Sequence, residues 1–396
     1  MIYTTPNNNI KSVLGRTPEE VDSGRQASDR PLLVSVIILM VFGVLAVYSS
    51  IVYFAESNGT SAGSLVVGHT VKLGIAFLVM LIISKINYRN IAKLSRFAMI
   101  TSWILLLITM AYGTELFGAR RWLFIGGYSF QPATFASVAL IIHVAVLLEE
   151  KQEYIKDLTR SFLPILFWVG TTCWLIGMED FSTAGVLLAI CLLMMFVGRV
   201  SMVHLGMLII GGMIAGSALI MQSPERQSRI EGYIDQITDI KSEEFNVGEG
   251  YQAQQAQIAI AQGNILGVGI GKSTQRDFLP APYNDFIFAI IAEEYGMVGS
   301  MLLILLFSII LLRGIAVIAK NAMDPLGTFL AVGCTLNIAL YGFINAGVAS
   351  GLLPVTGLPM PFVSYGGSSM LFAGLMVGIL MNISKHDSKR KKVFYA

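Results

Sequence analysis

The chain has 396 residues, of which 55% are apolar and 13% are charged. Soluble domains average about 45–50% apolar and 25% charged, so these side chains cannot clothe a water-soluble globule of this size. The same abundance of Leu, Ile, Val and Phe excludes intrinsic disorder. A net charge of +2 says little about partners until the charges are placed. Long apolar runs recur throughout, which predicts an all-α integral membrane protein.

Ten stretches are long enough to cross a bilayer: 31–53, 64–84, 97–113, 131–148, 161–177, 181–198, 202–221, 285–312, 326–348 and 367–383. Residues 1–30 form a polar tail without the pattern of a signal peptide, so the first span is expected to be an uncleaved anchor. Residues 31–384 make the membrane domain, and 385–396 a basic tail. With the N-terminus in the cytoplasm, 19 of the 27 Lys and Arg residues fall on inner segments, against seven on outer ones. The positive-inside rule then places both termini in the cytoplasm.

The one large extracytoplasmic loop, 222–284, lies between spans seven and eight. In it Ile230, Tyr233, Ile234 and Ile237 follow a helical period. This predicts a short amphipathic helix, lying in the membrane interface or packed on the protein's own outer face. Cys173, Cys191 and Cys334 sit in apolar runs, with no disulfide or metal spacing, and read as packing residues.

Lys72 lies about two turns into the second span, with His69 one turn outward. Snorkelling to the outer interface accounts for Lys72, and contact with an anionic headgroup is the alternative. Next, Gly118-Ala119-Arg120-Arg121-Trp122 precedes Gly126-Gly127 and Phe130-Gln131-Pro132. Two outer arginines beside an aromatic residue make either a headgroup anchor or a clamp for a phosphorylated or carboxylated substrate. Asp180 lies in a connection too short to hide it from water and means little alone.

Tyr251-Gln252 leads to Gly263, Gly267, Gly269 and Gly271, then Lys272-Ser273-Thr274-Gln275-Arg276. This is not a P-loop, because Leu266 stands where that pattern needs Gly. Glycine-rich backbone beside Lys272 and Arg276 can still cradle a diphosphate, and a flexible linker is the alternative. Leu279-Pro280 then leads through Asp285-Phe286-Ile287-Phe288 to Glu293-Glu294-Tyr295-Gly296. Acids at membrane depth are costly and point to function. Asp285, at the mouth of the eighth span, is either a functional acid or a helix cap. Glu293, about 12 Å deeper, is expected first to pair with a buried Arg, Lys or backbone group. A charge-free loop, Gly351-Leu352-Leu353-Pro354-Val355-Thr356-Gly357 to Pro361-Phe362-Val363-Ser364-Tyr365-Gly366-Gly367-Ser368-Ser369, is expected to fold back on the bundle.

Taken together, these four segments and ten spans resemble the SEDS family, the FtsW/RodA/SpoVE-like peptidoglycan glycosyltransferases, over residues 31–384. Two departures stand out: Thr134 and Ser137 replace a Glu and a Lys usual after Gln-Pro. Losing both partners of an ion pair leaves no orphan charge.

The resemblance implies polymerisation of lipid II on the outer face of a bacterial cytoplasmic membrane, with inversion and with Asp285 as general base. It also implies substrate contacts from Arg121, Trp122, Gln131, Gln252, Lys272, Ser273, Gln275, Arg276, Glu293, Ser364 and Tyr365, with or without a divalent cation such as Mg2+. The implied partners are polyprenyl-linked glycan, a penicillin-binding transpeptidase and other divisome or elongasome membrane proteins, and no nucleic acid. A division role is expected, with a RodA-like elongation paralogue as the alternative. A lipid II flippase or transporter, or a scaffold, are the rival readings. An outward groove for the polyprenyl chain is expected beside the Phe-rich start of the eighth span.

Overall fold

The structure is a computed structural model and describes residues 28–57, 61–116, 119–125, 128–238, 249–279 and 282–386. Most of both tails, and Gly118, Gly126, Gly127 and Pro280 of the motifs, lie outside them. In lipid, backbone amides must bond within the protein, and a helix achieves this with no partner segment. The apolar runs accordingly form α1 (Arg30–Ser57), α2 (Ala62–Ile83), a short α3 (Tyr88–Lys93) and α4 (Ser95–Tyr112). After three strands come α5 (Pro132–Glu150), α6 (Leu163–Glu179), α7 (Phe181–Val197) and α8 (Met202–Met221). The large loop folds into α9 (Pro224–Thr238) and α10 (Glu249–Gly263). Finally come α11 (Ile287–Leu312), α12 (Pro325–Ala349) and α13 (Ser368–Lys385).

Among the described residues, nine helices are long and apolar enough to cross a membrane, and α7, shorter and apolar, is the tenth at the expected positions. The middle of the bundle is α5, α12 and α13, with 78%, 72% and 72% of their apolar windows buried, against 22% for α2 and α8. Small residues set the closest approach: a Cβ on Gly374 of α13 would meet the Ala76 carbonyl of α2 at 2.4 Å, as in other close membrane helix pairs. Cys191 and Cys334 are buried and Cys173 half-buried, all as free thiols.

The strands are a departure from the sequence reading, which places no sheet here. β1 (Thr114–Leu116), β2 (Ala119–Ile125) and β3 (Tyr128–Phe130) pair antiparallel in that order. The last described pair of β2 and β3 is Ile125 opposite Tyr128. The sheet carries Arg121 and Trp122 at the end of the bundle where α9 and α10 lie. In α9, the Tyr233 hydroxyl donates to the Leu352 carbonyl at 2.8 Å, while Ile234 is half exposed. The side chain of Ile237 lies outside the described residues.

At the opposite end, polar ties lock the helices. Asp324 caps α12 through Gly327 N at 2.8 Å and accepts from the Tyr88 hydroxyl at 2.8 Å and Arg89 Nε at 2.8 Å. Asp29 pairs with Arg313, joining the start of α1 to the π-helical continuation of α11. Replacing Asp324 with Ala removes a cap and the acceptor of the Tyr88 hydroxyl, which costs about 2 kcal/mol. Thermal melting in detergent should register that loss. The Asp277→Ala control, which breaks only a pair at the protein surface with Arg276, should melt as wild type.

Candidate functional site

Asp285 lies two residues before α11, outside the membrane-spanning segment. Its backbone is held by the long loop between α12 and α13. Asn345 Nδ2 donates to the carbonyls of Asp285 at 2.8 Å and Leu358 at 2.9 Å. Ser364 Oγ donates to the Asn284 carbonyl at 2.6 Å and accepts from Met360 N at 2.8 Å. Tyr365 N donates to the Tyr283 carbonyl at 2.8 Å. The loop does fold back on the bundle, and it grips residues 283–285 by their main chain. Ser364 thus acts through the backbone, and Tyr365 leaves its ring free to meet Tyr283 edge-on at 5.7 Å.

Among the described residues nothing bonds the carboxylate itself. Oδ1 of Asp285 is buried without a hydrogen-bond partner, and a methyl group on Gly357 would sit 3.5 Å from Oδ2. Gly357 has φ +68°, a conformation that suits glycine and keeps that space open. Burial pushes the Asp285 pKa up to about 6, against the opposing pull of Arg121 and Arg229 and with a smaller push from Asp180. Burial wins because an ionised group loses more hydration there than distant cations return. Burial raises the Tyr283 pKa first, and the nearby Tyr365 and Asp285 add to it.

Arg121 sits on β2 at the corner between α6 and α7. Its Nε donates to the Glu179 carbonyl at 2.8 Å, and the neighbouring Arg120 N donates to Glu179 Oε2 at 2.9 Å. One edge of the Arg121 guanidinium is thereby fixed, and its outer nitrogens remain available to an anion. Trp122 pairs with Thr114 in the sheet and is half-buried. Gln131 Nε2 donates to Asp180 Oδ2 at 3.3 Å, and its Oε1 accepts from Thr134 at 3.1 Å.

Asp180 corrects the sequence reading. It is only 5% exposed, because Gln131 covers it and because it caps α7 through Thr183 N and Thr183 Oγ1. Two arginines were also missed. Arg226 of α9 donates to the Leu219 and Met178 carbonyls, capping α8 and α6, and Arg229 reaches Asp285 electrostatically. The signal was present as two arginines one turn apart on the amphipathic helix.

The glycine-rich segment does not join Asp285. α11 is interrupted at Gly296, with φ 66° and ψ −161°, and the segment repairs the break. Val268 N and Gly269 N donate to the carbonyls of Glu293 and Glu294 at 2.9 and 3.1 Å, and Met297 N donates to the Asn264 carbonyl at 2.9 Å. A side chain at Gly267 would strike the Glu294 carbonyl at 2.1 Å. Glu293, fully buried, does pair with backbone groups. It accepts from Ser273 Oγ at 2.5 Å and from Thr274 N at 2.8 Å, with longer contacts from Thr274 Oγ1 and Gln275 N.

Glu293 and Ser273 are therefore occupied with each other, whereas Gln275 joins them through its backbone N alone and its buried Oε1 has no partner among the described residues. Arg276 donates to the carbonyls of Ser49 and Gly271 at 3.0 and 3.2 Å. Lys272 is exposed on this loop, and Gln252 is half-buried on α10. The cations that act on Asp285 are Arg121 and Arg229 instead.

The groove expected beside the Phe-rich start of the eighth span is not found there. Phe286 and Phe288 are core residues, 2% and 5% exposed, so they cannot line an outward groove. A groove of about 550 Å3 runs instead between α6, α7 and α8, lined by Phe162, Trp174, Leu188, Met207, Phe181 and Leu219. Its upper end meets Arg226, whose guanidinium lies 5.9 Å from the Phe181 ring. Among the described residues no three His, Cys, Asp or Glu side chains converge as a metal site. Asp285 supplies one carboxylate, which fits Mg2+ only in the manner of phosphate-handling sites, where substrate oxygens complete the shell.

Residues 30–389 match the family described as Cell cycle protein, FTSW_RODA_SPOVE. The chain belongs to this family. It is 34% identical over 367 residues to Stage V sporulation protein E of Bacillus subtilis (strain 168), across 92% of this chain and 98% of that relative. It is 33% identical over 382 residues to a probable peptidoglycan glycosyltransferase FtsW of the same organism, across 92% and 93%. A chain of a peptidoglycan synthase complex that coordinates polymerization and crosslinking has the same fold, with TM-score 0.72 at 24% identity over 90% of this chain and 98% of that one. Thermus thermophilus RodA has TM-score 0.64 at 23% identity over 91% and 97%.

Within this FtsW/RodA/SpoVE member, the two departures are self-contained. Ser137 donates to the Ala133 carbonyl at 2.8 Å, and Thr134 to Gln131, so no charge is stranded. Glu293→Ala should instead strand several buried donors and cost about 3 kcal/mol or more. Thermal melting in detergent should show that loss, and exposed Lys272→Ala should show none.

Proposed function

We propose that this protein is a peptidoglycan glycosyltransferase that polymerises lipid II, with Asp285 as the general base. The reading rests on one observation above all: an unbonded, half-buried carboxylate with a raised pKa at the mouth of a broken membrane helix, facing arginine charge. The acceptor's GlcNAc 4-hydroxyl attacks the anomeric carbon of the donor's MurNAc. As the new C–O bond forms, its proton passes to Asp285. The bond to the polyprenyl diphosphate breaks on the opposite face, and the electron pair leaves with the diphosphate, so the anomeric carbon inverts. A pKa near 6 makes Asp285 a stronger base than an ordinary carboxylate while leaving it mostly ionised at neutral pH. Arg121 is anchored through Nε and offers its outer nitrogens to the leaving diphosphate, whose charge is greatest at the transition state. The groove between α6, α7 and α8 takes the apolar chain of that substrate and ends beside Arg226.

The charge asymmetry of the connecting segments supports an orientation with both termini in the cytoplasm and Asp285 on the outer face of the bacterial cytoplasmic membrane. A penicillin-binding transpeptidase is the proposed partner, because strands made there require crosslinking, and other divisome proteins follow from the proposed division role. The FtsW names among its relatives suit that role, while the name Stage V sporulation protein E suits a sporulation role instead.

Purified protein with lipid II, alone and with its transpeptidase, tests the reading. Wild type should make long strands, and Asp285→Ala should lose activity by about 100-fold or more. Arg121→Lys keeps the charge but not the fork, and should lose about tenfold. Wild type that makes no strands yet moves lipid II across vesicle membranes would favour a transporter.

A further inference from the structure

Lys72 lies well inside a membrane-spanning helix and has no part in the account above, and its side chain does not do what a snorkelling lysine does. It stands ten residues into α2, about 15 Å along the helix. Its Nζ lies 4.6 Å from the centroid of the Tyr365 ring and 3.4 Å from the Tyr365 hydroxyl. The side chain is turned onto the loop that grips Asp285. Among the described residues no carboxylate pairs with it. A ring face and a hydroxyl stabilise an ammonium without neutralising it, and two of its three donors stay open.

The surroundings are built. His69, one turn away and fully buried, stacks on Tyr365 with ring centroids 5.5 Å apart and 19° between planes. Neither ring nitrogen of His69 has a hydrogen-bond partner. Tyr365 is therefore held by His69 on its ring and by Tyr283 through its main chain and ring edge. Tyr283 is two residues from Asp285. The aromatic pair thus links the reacting carboxylate to a cation on α2, while Arg121 reaches the same carboxylate from β2. The two cations approach by different elements.

Polymerisation brings together two lipid-linked substrates, each ending in a polyprenyl diphosphate. A single clamp cannot serve both, because two diphosphates repel strongly and their sugars must meet at one carboxylate. We propose that Lys72, seated on Tyr365, anchors a second polyprenyl-diphosphate site, separate from the one at Arg121. This inference rests on the glycosyltransferase reading for the need of two substrates, and on the geometry for the position. Lys72 is a binding residue, and His69 positions Tyr365 beneath it. An intramembrane charge without a counter-ion is costly, and the diphosphate supplies the missing one.

The test uses the full-length protein in phosphatidylcholine nanodiscs, with undecaprenyl diphosphate as the probe and native mass spectrometry as the readout. Wild type should bind two molecules, Lys72→Met one, and Lys72→Arg two. Arg121→Ala should lose one as well, and the double variant both. In turnover, Lys72→Met should raise the lipid II concentration for half-maximal rate about tenfold, as for one lost charged hydrogen bond. Lys72→Met keeps the length of the side chain against Tyr365 and removes an uncompensated charge, so it should melt no lower than wild type, which separates lost binding from lost fold. Two molecules retained by Lys72→Met would overturn the inference. So would displacement of the Lys72-dependent molecule by phosphatidylglycerol at equal concentration, which would make the position a bulk headgroup contact. Wild type that binds two molecules but makes no strands would instead sink the polymerase reading and leave the second site standing.

Discussion

A membrane helix that is broken must have its freed amides and carbonyls filled by protein, because lipid cannot fill them. α11 is broken at Gly296, and the glycine-rich segment before it is organised around repairing it. Residues 264–269 lie against the break and exchange hydrogen bonds with both sides. Glu293 and Glu294 point their carboxylates into the same loop, where Ser273 and Thr274 bond them, and Ser49 of α1 also donates to Glu294. The first turns of α11 are thus fixed independently of the rest of the helix. That short, rigid piece carries Asp285 at its mouth.

The second consequence is electrostatic. The loop between α12 and α13 satisfies the main chain around Asp285 through Asn345, Ser364 and Tyr365, yet gives the carboxylate nothing. A carboxylate that accepted several N–H bonds would be stabilised in its charged form and would be a poor base. Asp285 is buried and unbonded, so its proton affinity rises, and the arginines that oppose this rise are the groups suited to a diphosphate. One fold therefore holds a bonded acid, Glu293, as a structural anchor and an unbonded one, Asp285, which the proposed mechanism uses as its base.

The spans were legible because about 20 apolar residues in lipid admit one solution. Asp285 and Arg121 were legible because charges on the outer side of an apolar chain need a reason. The rest depended on contacts at long sequence separation. Gly267, Gly269 and Gly271 read as a phosphate cradle, since nothing in their own segment shows that the partner is the backbone of a broken helix. The trace of the break was Gly296 inside an apolar run. Asp180 seemed exposed because its cover, Gln131, comes from another connection. Lys72 seemed to snorkel because Tyr365, the ring that captures it, is nearly 300 residues away. The three short strands were hidden by their length, although a Gly-Gly pair between two apolar runs is a hairpin signal.

The central claim is that Asp285 is tuned as a base by burial without bonding, and its titration tests this directly. In nanodiscs, the infrared band of the protonated Asp285 carboxyl, identified by its absence in Asp285→Asn, can be followed against pH. The raised pKa means the group is neutral below the midpoint and charged above it. The account predicts a midpoint at about 6. A midpoint near about 4, the value of an ordinary aspartate, would mean that Asp285 is solvated or bonded like any other, and would contradict the account.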